Sequence, residues 1–514
     1  MARLVSFAQA RELDRISQER YSIPGDILME NAGLRLWDYL AKMVPSGKNL
    51  LFAVGRGNNG GDALVMARQA WVSGRRNLQI YLPAEPSTPS AQQNLDSCLA
   101  LGIPLSRNIE ELGPAAILID GLFGVGLCSP LENRGKEKGN WINILRELNE
   151  RFSSSEHEIW SIDCPSGLYG FEDQDHRDGL RASGEPPGIP VLRADHTLSI
   201  QWDKEEFYNP WARQFCGEIH TLPIGFPLEL EDEVFLKAQI FCAPRVSRQW
   251  QSADYKNRRG HLLVVGGSEN TLGAPFLSGT GASSAGAGLV SVAVPMKTEP
   301  RFDQQPPNLM LHFQETLREQ DPKTYQAMVL GPGGLPEDGS FWEWFADWTR
   351  EGYPLIIDAQ GLREWTRIKE HFCGDYAQVL LTPHPGEFSG LTNLDSQIIQ
   401  RQAIAICRDF SQREGVMVLF KSADPTLICP DGRTTVIPGQ NPRMGTAGNG
   451  DFLSGILGAL LMNASIQGND LQEGAVLGTW VHQQAGRKLK RVFTPQELGP
   501  IVGKIVWEVI YAGG

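Results

Sequence analysis

The sequence has no excess of basic residues, no closely paired cysteines and no long apolar run, and each absence removes a class of function. Its 47 Lys and Arg against 60 Asp and Glu leave a formal net charge of −13. That balance opposes nucleic acid or an anionic membrane as a partner, because both are bound through clustered cations. The 8 cysteines (Cys98, Cys128, Cys164, Cys216, Cys242, Cys373, Cys407 and Cys429) lie far apart and form no CxxC pair, so neither a zinc cage nor a dense disulfide framework is expected. No apolar run approaches the ~20 residues that cross a bilayer, and charged residues arrive too early after Met1 for the apolar core of a signal peptide. A cytoplasmic chain acting on small molecules is the expectation. The 55 glycines and 33 prolines sit at the ends of apolar runs instead of forming low-complexity tracts, as in a loop-rich enzyme.

A chain of 514 residues exceeds what a single core holds, so two or three domains are expected. Short apolar runs followed at once by glycine or a polar residue recur at 50–54, 117–119 and 160–162, then at 262–265, 328–330, 355–357, 379–381 and 416–420. This is the pattern of parallel strands buried on both faces and joined by helices, an α/β class. The stretch 226–250 lacks a clear period and separates two domains, 1–228 and 245–514. Within the first, 170–190 is rich in Asp, Gly and Pro and reads as a mobile surface insertion. In open parallel sheets ligands sit outside the carboxyl ends of the strands, so two sheets imply two sites.

In the first half the strand 50–54 runs into GRGNNGGD (55–62) and a helix-like 63–70. Gly55, Gly57 and Gly60 satisfy GxGxxG, in which backbone N–H groups approach phosphate. The acidic ribose ligand expected about 20 residues later is replaced by Gln79, Ile80 and Tyr81. A polar cluster carries more information: Asn58, Asn59 and Asp62, joined by Asp120 and Asp163 at two further strand ends. Carboxylate and amide oxygens on one rim suit a hard cation or sugar hydroxyls; taken singly, Asp120 and Asp163 also read as turn caps.

In the second half GGS (266–268), GAP (273–275), GPGG (331–334), Asp358-Ala-Gln-Gly-Leu362 and TPHPGEF (382–388) form compact turns, most of them directly closing a strand. His384, between two prolines, reads either as a site residue or as a rigid turn. The stretch Asn441-Pro-Arg-Met-Gly-Thr-Ala-Gly-Asn-Gly-Asp451 leads into a small-residue helix at 456–462. Its glycines free consecutive N–H groups for a phosphate, and the helix dipole adds positive potential there. Asp451 at that helix start is either a cap or, as its place after the glycines favours, a general base. Lys421, after the strand 416–420, is placed for phosphate.

Two ordered motif sets carry a resemblance. Met29-Glu-Asn-Ala-Gly33, GRGNNGGD, Asp120-Gly-Leu-Phe-Gly-Val-Gly126 and Asp163-Cys-Pro-Ser-Gly167 resemble the NAD(P)H-hydrate epimerase domain over most of 1–225. GNGD followed by Leu453 and Gly455 resembles the anion hole of ribokinase-like kinases. The full order from GGS to GNGD, with TPHPGEF its most specific piece, resembles the ADP- or ATP-dependent NAD(P)H-hydrate dehydratase domain over roughly 256–510. The resemblance implies a Rossmann-like parallel-sheet domain followed by a ribokinase-like α/β domain, acting on NADHX and NADPHX. It implies potassium at Asn59, Asp120 and Ser166, with substrate held by Asn58, Asn59, Gly60, Gly61, Asp62, by Gly124, Val125, Gly126 and Leu127 in the loop 124–130, and by Asp163. In the second domain it implies substrate contact by Ala274, Gly333, His384 and Asp451. ADP or ATP, with Mg2+, would meet Lys421, Ser422, Ala423, Asp424 and Pro425, then Gly445, Thr446, Ala447, Gly448, Asn449 and Gly450. The resemblance also implies a homo-oligomer.

The chain departs from the family pattern at Ala63, Tyr169, Gln360, Gly361 and Ser422, which leaves the cation residues, the anion hole and Asp451 in place. The resulting expectation is a bifunctional enzyme: the first domain interconverts the R and S hydrates, with Asp163 as acid/base, and the second dehydrates the S form, with Asp451 handling the hydroxyl proton. Two rivals are a small-alcohol kinase, against which TPHPGEF and the first domain speak, and a dehydratase whose first domain binds ligand without turnover.

Overall fold

The computed structural model describes residues 2–127, 138–169, 190–233, 237–242, 255–298 and 306–511. The insertion expected to be mobile (170–190, all but its last residue) and residues 128–130 of the expected substrate loop lie outside the described residues. The chain divides into two compact units, Ala2–Ala238 and Gln239–Gly514.

In the first unit seven strands form one parallel sheet in the spatial order Leu105–Ser106, Leu78–Tyr81, Leu50–Val54, Ile117–Gly121, Glu158–Ile162, His196–Ile200, Glu218–Leu222. The strand Leu50–Val54 is apolar throughout because it feeds two cores. Leu50, Phe52 and Val54 pack with residues of the helices Gly25–Met43 and Asn58–Val72. Leu51 and Ala53 pack on the other face with Ile144, Leu145 and Leu148 of the helix Lys138–Arg151. Each large apolar side chain so buried stabilises the fold by about 1.5–3 kcal/mol. A separate parallel pair sets Leu4 beside Asp203 and Val5 beside Lys204. Directly after Val5, Ser6 starts the helix Phe7–Glu19 with a capping box, its Oγ accepting from Gln9 N–H at 3.1 Å while its own N–H donates to Gln9 Oε1 at 2.9 Å.

In the second unit the strands Met310–Phe313, Leu289–Val294, His261–Val265, Ala327–Leu330, Leu355–Ile357, Val379–Leu381 and Met417–Phe420 run parallel in that spatial order. Thr426–Ile428 and Thr434–Val436 then continue the sheet antiparallel. The helix Asn449–Ile466 is apolar almost all round and packs against the helix Gly273–Ser284 at a distance only glycine permits: a Cβ on Gly455 would lie 1.7 Å from Ser278 O, and one on Gly281 would lie 2.1 Å from Phe452 O. Both units are α/β with parallel sheets, as the sequence pattern requires.

Candidate active sites

In the first unit a cavity of about 1020 Å³ opens at the carboxyl ends of the strands. Asn58, Asn59, Asp62, Gly124, Val125, Gly126, Leu127 and Asp163 all line it. Gly60 and Gly61 do not. A Cβ on Gly60 would meet Gly55 O at 1.9 Å and one on Gly61 would meet Met29 Cε at 2.5 Å, so these glycines serve packing of the helix start. Gly55 is equally confined, 1.8 Å from Leu122 O by the same construction. Gly55, Gly60 and Gly61 therefore have a steric cause that requires no phosphate, whereas Gly57 has open space at its Cβ position and lines the cavity.

Asp163 follows the strand Glu158–Ile162 at φ 62°, a left-handed conformation that costs a non-glycine residue about 1–2 kcal/mol. It is held there by Lys204, whose Nζ donates to Asp163 Oδ1 at 2.6 Å, to Ser199 Oγ at 3.0 Å and to Ile200 O at 2.9 Å. All three ammonium hydrogens are thus used. The lysine side chain is only 2% exposed, so the ion pair forms a desolvated floor to the cavity. Beside it, burial raises Asp62 well above the usual carboxylate range, with Asp163 and Asp14 pushing in the same direction. Arg11, from the helix Phe7–Glu19, also lines the cavity and donates to Val125 O at 2.8 Å.

Asp120 and Ser166 sit together beneath this floor. Asp120 accepts from Ser166 N–H (2.9 Å), Ser166 Oγ (2.5 Å), Ser161 Oγ (2.8 Å) and Leu122 N–H (3.2 Å). Burial raises its pKa, and these bonds offset only part of that rise. Ser166 Oγ in turn accepts from Phe123 N–H at 2.8 Å. Asn59 approaches from the helix side, its carboxamide Cγ 3.1 Å from where a Cβ on Gly124 would stand, and both its polar atoms are buried without a partner. A buried carboxamide with nothing to bind is costly, roughly 1–3 kcal/mol per group. It is the one expected cation residue with an open valence.

In the second unit a cavity of about 790 Å³ is lined by Gly267, Ser268, Gly333, Ala359, Gln360 and Glu387, among others. Ala274 stands at its edge, since a Cβ on Gly333 would lie 3.2 Å from Ala274 Cβ. Ala359, two residues past the strand Leu355–Ile357, is also at positive φ, 50°. Its predecessor Asp358 is buried and accepts from Thr382 Oγ1 at 2.8 Å and Lys421 Nζ at 2.7 Å. Lys421 also lies 3.6 Å from Glu387 Oε2. Burial lowers the affinity of Lys421 for its proton, but Asp358 and Glu387 outweigh it and its pKa is raised.

Asp451 completes this cluster. It lies in the first turn of the helix Asn449–Ile466, whose N-cap Gly448 has φ 88° and offers no side chain to the free N–H groups behind it. A Cβ on Gly450 would be 3.6 Å from Lys421 Nζ, which places the ammonium against the glycine turn. The Asp451 carboxyl is raised to about 6, first by burial, then by repulsion from Asp358 and Glu387, with Lys421 opposing. The remaining expected nucleotide residues lie on two turns, 422–425 and 445–450, outside the lining of this cavity. Gly445, Thr446 and Ala447 are exposed. Asn449 is buried and ties the turn by donating to Met444 O (3.0 Å) and Thr446 Oγ1 (2.7 Å). Ala423 O accepts from Gln440 N–H at 2.6 Å, while Ser422 and Asp424 brace the turn before Pro425: Ser422 Oγ donates to Asp424 O at 2.7 Å, and Asp424 Oδ1 accepts from Gly439 N–H at 2.7 Å. His384 is a helix cap: its Nδ1 accepts from Gly386 N–H at 3.0 Å, its side chain is 54% exposed, and it does not line the cavity.

Lys204, Asp358 and Glu387 were not assigned roles from the sequence, although they neutralise or perturb the two predicted catalytic carboxylates. The signal for Lys204 was a lysine next to Asp203, shortly after Leu198, Ile200 and Trp202; a charge there has to be paired. Asp358 and Glu387 lay in plain view inside their motifs.

Two strand-end sites of this kind, each pairing a lysine with a buried aspartate beside a raised carboxyl, define a two-domain α/β enzyme with two reaction centres. Comparison with known proteins then names the group. The family described as NAD(P)H-hydrate dehydratase matches residues 262–504 and the family described as YjeF-related protein N-terminus matches residues 25–206. The bifunctional NAD(P)H-hydrate repair enzyme Nnr of Gloeobacter violaceus is 31% identical over 508 residues, 95% of this chain and 93% of that protein. The enzyme of the same name from Moorella thermoacetica is 28% identical over 526 residues, 95% and 92% of the two chains. A solved structure of the ADP/ATP-dependent NAD(P)H-hydrate dehydratase of Bacillus subtilis aligns with 51% of this chain and 94% of its own, at 23% identity and a TM-score of 0.45. The chain belongs to the family of bifunctional NAD(P)H-hydrate repair enzymes.

Proposed function

We propose that the second unit dehydrates the S hydrates of NADH and NADPH with ADP or ATP, and that the first interconverts the R and S hydrates so that both are salvaged. The observation that carries this reading is Asp451: a carboxylate raised to about 6, at a glycine-led helix start, beside Lys421. Water is a poor leaving group, and a nucleotide that phosphorylates or positions the substrate hydroxyl lowers that barrier. Asp451 takes the hydroxyl proton, a task for which a base titrating near neutrality is suited. The N–H groups at 448–450 and Lys421 hold phosphate oxygens, while Ala274, Gly333 and His384 face the hydrated nicotinamide. Mg2+ would enter with the nucleotide phosphates beside Asp451 and Glu387, supplying positive charge where the carboxylates have left a deficit.

In the first unit a carbon that carries both a ring nitrogen and a hydroxyl inverts when its C–O bond opens and water returns from the other face. This needs a proton given to the departing oxygen and taken from the returning water. Asp163, oriented by Lys204, is the acid/base, and Asp62, whose burial raises its hold on its proton, is a second donor on the same wall. Asn59, Asp120 and Ser166 would hold potassium, supported by the unpartnered carboxamide of Asn59; the bound ion would supply positive charge for oxygens of the substrate. Seven described cysteines are all free and no helix among the described residues is long and apolar enough to cross a membrane, which supports work in the cytoplasm.

The test is recovery of dihydronicotinamide absorbance from mixed NADPHX epimers with ADP or ATP. Wild type should restore it fully, Asp451→Ala should abolish it, and Asp163→Ala should halt it at the S fraction. No recovery by wild type with either nucleotide overturns the dehydratase assignment.

A further inference from the structure

The last two strands of the first sheet carry a cluster that the repair chemistry does not use. His196 and Glu218 are the first residues of adjacent parallel strands and stand opposite one another, and His220 lies two residues beyond Glu218. The two-residue period of a strand therefore puts all three on one face of the sheet. They sit at the amino ends of the strands, the opposite edge from Asp163.

Their ligand atoms lie within 4.8 Å of one another. His196 Nδ1 faces His220 Nε2 at 3.0 Å and Glu218 Oε2 at 3.8 Å. Around a tetrahedral ion with metal–nitrogen bonds of about 2.0–2.1 Å, neighbouring ligand atoms stand roughly 3.3 Å apart, so the three converge at a spacing one ion fills. The outer contacts fit a ligand set as well. His220 Nδ1 is hydrogen-bonded to Tyr39 OH at 2.9 Å, which leaves Nε2 to the ion when Nδ1 carries the hydrogen, the arrangement common behind metal-bound histidines. Trp160 stacks on the His196 ring at 3.9 Å, fixing its plane.

We propose that His196, His220 and Glu218 form a binding site for one zinc-class divalent ion, a staple that ties the last two strands together and, through Tyr39, to the helix Gly25–Met43. Two imidazoles and a carboxylate leave a fourth position for water, and Glu218, whose side chain is 69% exposed, gives the ion its path in from solvent. The staple needs nothing from the nucleotide or the hydrated cofactor.

The experiment uses the full chain, stripped with chelator and titrated with Co2+, then Zn2+. One equivalent of Co2+ should bind with the visible absorption of a four-coordinate ion, Zn2+ should displace it, and the melting temperature of the first unit should rise by several degrees. Glu218→Gln, at an exposed position, should weaken binding at least tenfold, and His220→Gln should abolish the Co2+ spectrum. Both should keep the epimerisation rate of the first unit, which reports that the unit carrying the substitutions is folded. A Co2+ spectrum and stoichiometry unchanged in Glu218→Gln and His220→Gln, or no binding by wild type at micromolar metal, overturns the site and leaves a hydrogen-bonded histidine pair.

Discussion

Replacing Asp451 by asparagine should inactivate the second unit and stabilise it at the same time, and the sign of the stability change separates a catalytic carboxylate from a helix cap. The carboxyl is raised from its ordinary 3.8 to about 6, with burial the largest cause and Asp358 and Glu387 adding to it. An anion disfavoured over that range costs the folded state about 3 kcal/mol. The direction follows from linkage: because the folded pKa is the higher one, the unfolded chain gives up its proton first, and stability is lost as pH rises from about 4 through about 6. Above that window the Asp451→Asn variant avoids the whole penalty; below pH 4 the two proteins should agree. A unit the size of Gln239–Gly514 has an unfolding entropy of roughly 0.6 kcal/mol/K, so the variant should melt about 5 °C higher at pH 8 and with no difference at pH 4. A cap removed would instead lower stability by about 0.5–2 kcal/mol. Calorimetry at both pH values, together with the dehydration rate, decides. A variant that is less stable at pH 8, or that keeps more than a tenth of the wild-type rate, refutes the placement of Asp451 as a buried base.

The dehydration rate of wild type should climb through about pH 6 and level off above it, tracking deprotonation of Asp451; a flat kcat/KM profile from pH 5 to 8 would show that another group takes the proton. Lys204→Met should strand the buried Asp163 carboxylate, destabilising the first unit by about 3–5 kcal/mol and abolishing epimerisation while S-specific dehydration persists, read by denaturant unfolding and by epimer-resolved turnover. Asn59→Ala should remove any dependence of epimerisation on potassium over sodium, because it deletes the unpartnered carboxamide; an unchanged dependence places the ion elsewhere. Gly55→Ala should prevent the first unit from folding normally, since its Cβ would sit 1.8 Å from a backbone oxygen; a variant with wild-type melting and activity would mean that this turn has room to relax.

What the sequence made legible was the apolar run closed by a polar turn. Leu50–Val54, Leu355–Ile357 and Val379–Leu381 are strands over the expected residues, because a strand covered on both faces leaves an unbroken apolar signature. Strands with mixed composition escaped it. His196–Ile200 and Glu218–Leu222 carry histidines, threonines and a glutamate, and Leu289–Val294 merges into the small residues before it. The helix Asn58–Val72 begins five residues earlier than its apolar pattern suggests, since glycines that look like a loop are there for steric reasons. In the same way the candidate aspartates were visible as residues after strands, but their partners were not. Lys204 reaches Asp163 across 41 positions and Lys421 reaches Asp358 across 63, distances over which no local pattern speaks.

Those partners show why two unrelated reactions could settle on similar floors. In each unit a lysine compensates one buried aspartate, Asp163 in the first and Asp358 in the second, and the residue at the strand end is held at positive φ, Asp163 itself or the adjoining Ala359. The lysine is then spent. A further carboxyl brought to the same place meets desolvation and a like charge with too little cation left to offset them, and its pKa rises: Asp62 well above the usual range, Asp451 to about 6. Had the lysines been more numerous, both carboxyls would ionise far below neutrality and be weak bases; without them, the paired aspartates would themselves be protonated or the sites would not fold. One lysine set against two or three acids is therefore the arrangement that keeps one group fixed and charged while raising another, and in the second site it gathers Asp358, Glu387 and Asp451 around Lys421.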